Sequence, residues 1–200
     1  MAESADETYS TPGARVRLRT IAERDVDAIM EWINDPDITR NFAAFADPIS
    51  RAQELAFIRA MRVSDTDRLF AIESNDSGTL IGTAGLHRIY WPAKNGRLGL
   101  MIGKRDQQGR GIGQEAMQLL IGYGFERLGL HKLWLVHYAD NRRMRHIAEK
   151  LGFTQEGVLR DEYFHAGRWH DMVRHALLAH EWKRSDDQQG LARSDAHIKG

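Results

Sequence analysis

The sequence predicts a mixed α/β domain in which helices pack on a mixed β-sheet. The chain has 200 residues, of which 42% are apolar, so it is long enough for one domain with its own hydrophobic core. Segments with alternating apolar residues, typical of strands, occur among segments in which apolar residues recur every three or four positions, typical of helices. Their order, β-α-α-β-β-β-α-β-α-β-β, favours one sheet covered by helices.

The domain is predicted to lie between two polar ends. Residues 1–13 are expected to be a disordered leader, residues 14–182 the folded domain, and residues 183–200 a polar, disordered tail. Pro36 should end the first helix because proline cannot continue it, and Ser50 is suited to cap the second. The predicted elements of the first half are a strand, two helices and a hairpin: Arg15–Arg19, Glu23–Trp32, Ser50–Met61, Leu69–Ser74 and Thr79–Leu86.

The second half alternates strands and helices before it ends in a hairpin. A strand leads into a glycine-rich loop, and the helix after this loop has Ile112, Ala116 and Leu120 on one face. Gly152 follows the next helix, at the position where glycine often ends a helix. The remaining predicted elements are Arg97–Ile102, Lys132–Tyr138, Asn141–Leu151 and two strands joined by a turn at Ala166-Gly167.

Composition excludes several classes of function. Lys plus Arg and Asp plus Glu each number 28, so the chain lacks the overall basic charge of a nucleic-acid-binding protein. It has no cysteine, which rules out disulfides, thiolate metal sites and a cysteine nucleophile, and which fits a cytoplasmic location. No apolar run is long enough to span a membrane. The nine histidines have no zinc-binding spacing, so no metal site is predicted.

The segment Gln108–Gly113, QGRGIG, places glycines just before a predicted helix. Glycine lets backbone N–H groups approach a ligand closely, and the first turn of a helix has unpaired N–H donors with a partial positive charge. The loop could therefore hold a diphosphate, with Arg110 adding charge. Alternatively, the glycines serve only the shape of a strand-to-helix turn. The spacing matches neither the dinucleotide-binding fingerprint nor the nucleoside triphosphate loop.

Gln108-x-x-Gly111-x-Gly113 resembles the coenzyme A signature of the GCN5-related N-acetyltransferases (GNAT), and the resemblance extends from Arg15 to Trp182. Four further segments resemble the RimJ/RimL-type branch of this family in their order and spacing: WINDP, LGLMIGKRDQQGRGIGQEA, YGFERLGLHKLWLVHYADN and AEKLGFTQEGVLRDEYFHAGRWHD. The resemblance implies a GNAT fold, with a central mixed, mostly antiparallel sheet, a splayed pair of parallel strands and helices on both faces. It also implies acetyl transfer from acetyl-CoA to a primary amine, by direct attack in a ternary complex.

The resemblance also assigns residues to the acetyl-CoA site. The pantetheine arm should bond to the backbone of the strand before the loop, where one N–H should face the thioester carbonyl. Asn141 matches an asparagine of the family, although it could simply cap the following helix. The expected cofactor-binding residues are Met101, Ile102, Gly103, Gln108, Gly109, Arg110, Gly111, Ile112, Gly113 and Asn141.

The catalytic residues are harder to assign because the sequence departs from the family pattern. Positions at which relatives carry a tyrosine, a glutamate or a serine are Ala148, Val136 and Met144 here. The remaining candidates for proton transfer are Tyr163, Glu162 and His87. Asp161 and His137 are further candidates. Each of them could instead be a packing or solvated residue.

The sequence alone does not decide which amine accepts the acetyl group. The connection Asn34–Ser50 should cover the acceptor pocket; it holds Asp35, Asp37, Asp47, Arg40, Phe42 and Phe45. Three acids opposed by an arginine are few for a polyamine, so a peptide N-terminus or a small amine metabolite is the expected acceptor. A polyamine acetyltransferase and a non-catalytic acyl-CoA sensor are the alternatives. The protein is further expected to be a homodimer, because the C-terminal strands expose edges that a second copy could cover.

Overall fold

A computed structural model describes residues 6–42 and 47–182. The strands of this part are β1 (Thr8–Tyr9), β2 (Val16–Thr20), β3 (Arg68–Ser74), β4 (Leu80–Tyr90), β5 (Asn95–Ile102), β6 (Lys132–Tyr138), β7 (Thr154–His165) and β8 (Arg168–Leu178). The α-helices are α1 (Val26–Ile33), α2 (Pro36–Thr39), α3 (Arg51–Arg62), α4 (Ile112–Gly122) and α5 (Arg142–Lys150). A π-helical turn, Tyr123–Arg127, extends α4.

All eight strands form one sheet in the order β1-β2-β3-β4-β5-β6-β8-β7. Neighbouring strands are antiparallel except β5 and β6, which run parallel and pair only from Asn95–Lys132 to Arg97–Trp134. Both strands continue beyond this point without pairing with each other, β5 to Ile102 and β6 to Tyr138. The sheet therefore opens into a gap between β5 and β6. This mixed, mostly antiparallel sheet with a splayed parallel pair confirms the predicted fold class.

Helices cover both faces of the sheet, over two separate cores. On one face, α4 packs Met117 and Leu120 against sheet residues such as Leu86 and Leu133. On the other face, the apolar sides of α1 and α3 surround a smaller core of Ile29, Trp32, Ile58 and Met101. The gap between β5 and β6 thus lies beside both helical layers.

The short elements β1 and α2 were not predicted, because each depends on tertiary contacts or a local cap. Tyr9 of β1 is buried and packs edge-to-face on Tyr123, 5.7 Å between ring centroids. Residues 8 and 9 of the predicted leader thus form the edge strand of the sheet. The turn of α2 is capped by Asp35, whose side chain accepts from the N–H of Asp37 at 2.9 Å. The predicted tail, residues 183–200, lies outside the described residues.

Within residues 6–42 and 47–182, no helix has the length and apolar character needed to cross a membrane. In the same residues, no group of three or more metal-ligating side chains is placed to hold a metal ion.

Candidate active site

The edge of β5 that faces the gap carries backbone groups with no strand partner. Backbone N–H and C=O groups point to alternate sides along a strand. The N–H of Gly103 donates to the carbonyl of Ile81 in β4, at 3.0 Å, whereas the carbonyl of Ile102 accepts from Nε2 of Gln108 at 2.9 Å. Alternation therefore turns the backbone of Leu100 and Ile102 towards the gap.

The three backbone positions expected to bind the pantetheine arm differ in their orientation. Met101 and Gly103 direct their backbone groups to β4, and only Ile102 directs them to the open edge. The glycine at position 103 has a packing reason: an added Cβ would lie 1.9 Å from the Trp32 ring. Hydrophobic alternation predicts the side-chain faces of a strand but not which strand edge stays unpaired, so the sequence alone does not show this difference.

The glycine-rich loop meets the start of α4 beside this edge. Gly109 and Gly111 have φ angles of +77° and +81°, in the left-handed region that favours glycine. Gly111 is the N-cap of α4, so the N–H groups of Ile112 and Gly113 lie in the first helical turn, which has no intrahelical acceptors for them. The side chain of Ile112 is buried in the core, and the carbonyl of Arg110 accepts from Nη1 of Arg15 at 3.1 Å.

A cavity of about 360 Å³, the loop cavity, lies between this loop, the open edge of β5 and the start of α5. The predicted cofactor-binding residues that line it are Ile102, Gln108, Gly109, Gly111, Gly113 and Asn141. Arg143 also lines it, whereas Arg110 is exposed and lies outside its lining. Asn141 caps α5 as well, since its Oδ1 accepts from the N–H of Met144 at 3.0 Å.

Two further cavities adjoin the loop cavity. The gap cavity, about 290 Å³, lies between the splayed strands and is lined by Leu98, Val136 and Tyr163 among others. The side cavity, about 600 Å³, lies between β4, β5, α1 and α3. Phe42 and Leu100 line all three cavities, which therefore adjoin one another at the open edge of β5.

The side cavity contains a histidine–aspartate pair. Nδ1 of His87 lies 3.3 Å from Oδ1 of Asp67, and Asp67 also accepts from the hydroxyls of Ser64 and Thr66, both at 2.9 Å. The imidazole lies over two glycines paired across β4 and β5: a Cβ on Gly85 would lie 2.5 Å from Nε2 of His87, and one on Gly99 would lie 3.3 Å from it. Both glycines thus leave room for the ring on the cavity wall.

The surroundings set the charge state of this pair. Burial lowers the pKa of His87 below its ordinary value, and the opposing effect of the Asp67 carboxylate only partly offsets it. Burial acts to raise the pKa of Asp67, but the hydrogen bonds it accepts outweigh this effect and hold the pKa below its ordinary value. Near pH 7 the pair is therefore an ionised carboxylate next to a neutral imidazole.

The Acetyltransferase (GNAT) domain family model matches residues 15–154. The chain belongs to the GNAT acetyltransferase family. As a GNAT protein it is an acetyl-CoA-dependent N-acetyltransferase, as the resemblance implied. The finer placement in the RimJ/RimL-type branch stays a prediction.

This GNAT protein has bacterial relatives of similar length. It is 30% identical over 172 residues to the uncharacterized N-acetyltransferase p20 of Bacillus licheniformis, a match that covers 84% of this chain and 95% of the relative. It is 28% identical over 168 residues to spermidine N(1)-acetyltransferase of Escherichia coli K12, covering 84% and 88%. The crystal structure of spermidine N-acetyltransferase from Vibrio cholerae in complex with CoA and spermine superposes with a TM-score of 0.78, at 25% identity, covering 84% of this chain and 97% of that chain.

The shape of the site fits acetyl-CoA. The left-handed glycines present the backbone N–H groups at the start of α4 without side chains in the way, as a diphosphate requires. The splayed strands leave the edge of β5 free for an extended arm, and this edge runs from the loop cavity to the side cavity. When bound, acetyl-CoA supplies an activated acetyl thioester.

The catalytic candidates lie in different places around the site of this acetyltransferase. His87 lines the side cavity and Tyr163 lines the gap cavity, on either side of Leu100. Glu162 is exposed and is not among the lining residues of the three cavities, so the structure separates it from the other two. Ala148, at the position of the family tyrosine, is fully buried in the core.

His137 lines the gap cavity, but its ring has other contacts. Its Nδ1 lies 2.7 Å from the carbonyl oxygen of Tyr138, and the ring stacks on His175.

The acids of the acceptor loop do not face the side cavity. Asp35 and Asp37 both bind Arg105, at 2.5 and 3.2 Å, in an exposed ion-pair cluster. Asp47 is exposed, and Phe42 lines the side cavity. Phe45 lies outside the described residues. Asp67 and Glu54 also line the side cavity, but they were not predicted as site residues because no motif marks their segments.

Proposed function

We propose that this N-acetyltransferase moves the acetyl group of acetyl-CoA to a primary amine of a peptide N-terminus or a small metabolite, by direct attack in a ternary complex. The observation that carries this proposal is that the three cavities adjoin at Leu100. A cosubstrate whose diphosphate lies at Gly111 and whose arm follows β5 would present its thioester at Leu100, next to the side cavity. An amine in the side cavity would then lie beside the thioester, which supplies much of the rate by proximity.

The open edge of β5 supplies the group that stabilises the reaction. As the amine attacks the carbonyl carbon, negative charge develops on the carbonyl oxygen. The N–H of Leu100 or Ile102, which alternation directs to the gap, is placed to donate to this oxygen. Because the donor is fixed in the sheet, it needs no reorganisation during the reaction.

His87 is the general base in this proposal and Tyr163 the general acid. An alkylammonium must lose a proton before its nitrogen can attack, and neutral His87 can accept that proton at Nε2 because Nδ1–H is directed to Asp67. The C–N bond forms and the C–S bond breaks, and the leaving thiolate takes a proton from the Tyr163 hydroxyl on the gap side. The acetylated nitrogen loses its second proton, through solvent, to the tyrosinate, which restores the Tyr163 hydroxyl. The histidine proton returns to solvent.

A polyamine is the second candidate acceptor, favoured by two observations. Two relatives are spermidine acetyltransferases, and Glu54 presents a carboxyl on the wall of the side cavity. Glu54 is only 6% exposed, and burial raises the pKa of its carboxyl. However, each ammonium of a polyamine needs its own partner, and Asp35 and Asp37 are already paired with Arg105. We therefore expect spermidine to be a poorer acceptor than amines with a single reacting ammonium.

Turnover with a panel of amines tests the choice of acceptor. Thiol release from acetyl-CoA is followed with peptides that have free N-termini, amino sugars, aminoglycosides and spermidine. Spermidine should have a lower kcat/KM than the best amine of the panel. If spermidine has the highest kcat/KM, the polyamine assignment replaces this one.

A further inference from the structure

Two arginines line the boundary between the side cavity and the gap cavity. Arg88 lies at the bulge near the end of β4, and Arg97 lies on β5 directly opposite His87. Both side chains line both cavities. They therefore lie close to Leu100, where the proposed function brings the amine and the thioester together, and towards the end of β5 opposite the glycine-rich loop.

Neither guanidinium has a counter-ion within residues 6–42 and 47–182. Among the residues that the structure describes, neither side chain makes a hydrogen bond or an ion pair. The nearby carboxylate of Asp67 is engaged by His87, Ser64, Thr66 and the backbone N–H of Arg88, not by the guanidinium groups. Arg88 is exposed and Arg97 is half-buried. Two adjacent cations with no acid partner among the described residues raise each other's energy, so ion pairing within this part of the chain does not account for them.

The environment of Arg97 shows the cost of this arrangement. Arg97 is half-buried, and burial lowers the pKa of its guanidinium, with a further contribution from the charge of Arg88. A desolvated cation is unfavourable unless a ligand or a side chain neutralises it. Planar guanidinium groups are the side chains best suited to bind carboxylate or phosphate through paired hydrogen bonds.

The backbone at Arg88 is also unusual. Its φ angle is +51°, a left-handed conformation that costs energy for a residue with a Cβ. The conformation is held by the bond from the Arg88 N–H to Oδ1 of Asp67, at 3.2 Å. The same carboxylate thus positions both His87 and the backbone that carries Arg88.

From this geometry we infer that the acceptor carries an anionic group, carboxylate or phosphate, close to its amine, and that Arg88 and Arg97 bind it. The inference rests on the proposed acetyl transfer and narrows its substrate class. With the amine at His87, an anionic group one or a few bonds away reaches Arg97, since His87 and Arg97 are partners across β4 and β5. The same pair repels a polycation, which further disfavours polyamines.

Matched amines test the inference. kcat/KM is measured for pairs that differ only in the anionic group: an amino acid and its amide, a peptide with N-terminal Asp and one with Asn, and an amino sugar phosphate and its free sugar. The wild type should prefer the anionic member of at least one pair by about tenfold or more, through KM. In Arg97→Gln and Arg88→Gln this preference should fall about tenfold, because kcat/KM falls more for the anionic member of each pair than for the neutral one.

The control is Arg24→Gln, because Arg24 is exposed and makes no side-chain contact of this kind within the described residues. It should keep the preference. Equal kcat/KM for both members of every pair, in a protein that acetylates amines, would overturn the inference and leave the proposed function standing. A lack of thiol release with every amine would overturn the proposed function and the inference together. The choice between the amino acid and sugar phosphate pairs distinguishes carboxylate from phosphate.

Discussion

Nδ1 of His87 lies 3.3 Å from Oδ1 of Asp67, on the wall of the cavity that opens at the unpaired edge of β5. Because the ionised carboxylate can only accept, Nδ1 carries the ring proton and Nε2 keeps its lone pair. The pair therefore combines the correct tautomer with a neutral imidazole, which are the two properties that a general base requires.

His87→Gln should lower kcat by about a hundredfold or more, since it removes the proton acceptor. In the wild type, kcat/KM should rise with pH through the pKa of His87, which lies below the ordinary histidine value, and this acidic limb should be absent from the variant. His131→Gln, at an exposed histidine before β6, is the matched control. A pH–rate profile of His87→Gln that keeps the limb would assign the base to another group.

Asp67→Asn should act through His87. The carboxylate raises the pKa of His87 against the effect of burial, so its removal should move the acidic limb to lower pH. kcat should fall, while KM for acetyl-CoA stays constant because Asp67 lies outside the loop cavity. If the acidic limb of the pH–rate profile lies at the same pH in Asp67→Asn as in the wild type, Asp67 does not set the pKa of His87.

Gly111→Asp should weaken CoA binding by at least about tenfold, roughly 1.4 kcal/mol, because it places a carboxylate where the diphosphate is expected. The φ angle of +81° also disfavours any residue with a Cβ. Gly78→Asp controls for this strain: Gly78 has a φ angle of +66° in the β3–β4 turn, with open space around it. Calorimetry should show normal affinity in Gly78→Asp, and normal affinity in a folded Gly111→Asp would move the diphosphate elsewhere.

The terminal hairpin is the predicted dimer interface. Phe164 and Trp169 are 56% and 58% exposed and pack edge-to-face, 5.2 Å between ring centroids, on the edge strand β7 and its neighbour β8. Exposed aromatic pairs at a sheet edge favour burial against a second copy. Light scattering at tens of micromolar should give a dimer for the wild type and a monomer for Phe164→Asp, with Tyr90→Asp unchanged. A monomeric wild type would contradict the prediction.

Local chemistry made part of the site predictable from the sequence. Gly109 and Gly111 adopt the left-handed conformations that glycine permits, and the helix begins where its apolar face begins. Ser50 caps α3 as predicted, with Oγ 3.3 Å from the N–H of Gln53. Each of these features depends on residues within a few positions of one another.

The remaining features depend on strand register and tertiary packing. Arg88 and Arg97 meet only because β4 and β5 pair as they do, and Asp67 reaches His87 from the loop before β3. The edge of β5 that stays free is set by the splay from β6, which no residue pattern marks, so the sequence does not show that Met101 and Gly103 direct their backbone groups to β4.

Acetyl transfer is tested most directly by amine-dependent thiol release from acetyl-CoA, with the product identified by mass spectrometry. We expect free CoA and N-acetylated amine in equal amounts, from a protein that also binds CoA by calorimetry. Binding of acetyl-CoA without release of thiol in the presence of any amine of the panel would contradict acetyl transfer and would identify the protein as a non-catalytic acyl-CoA-binding module.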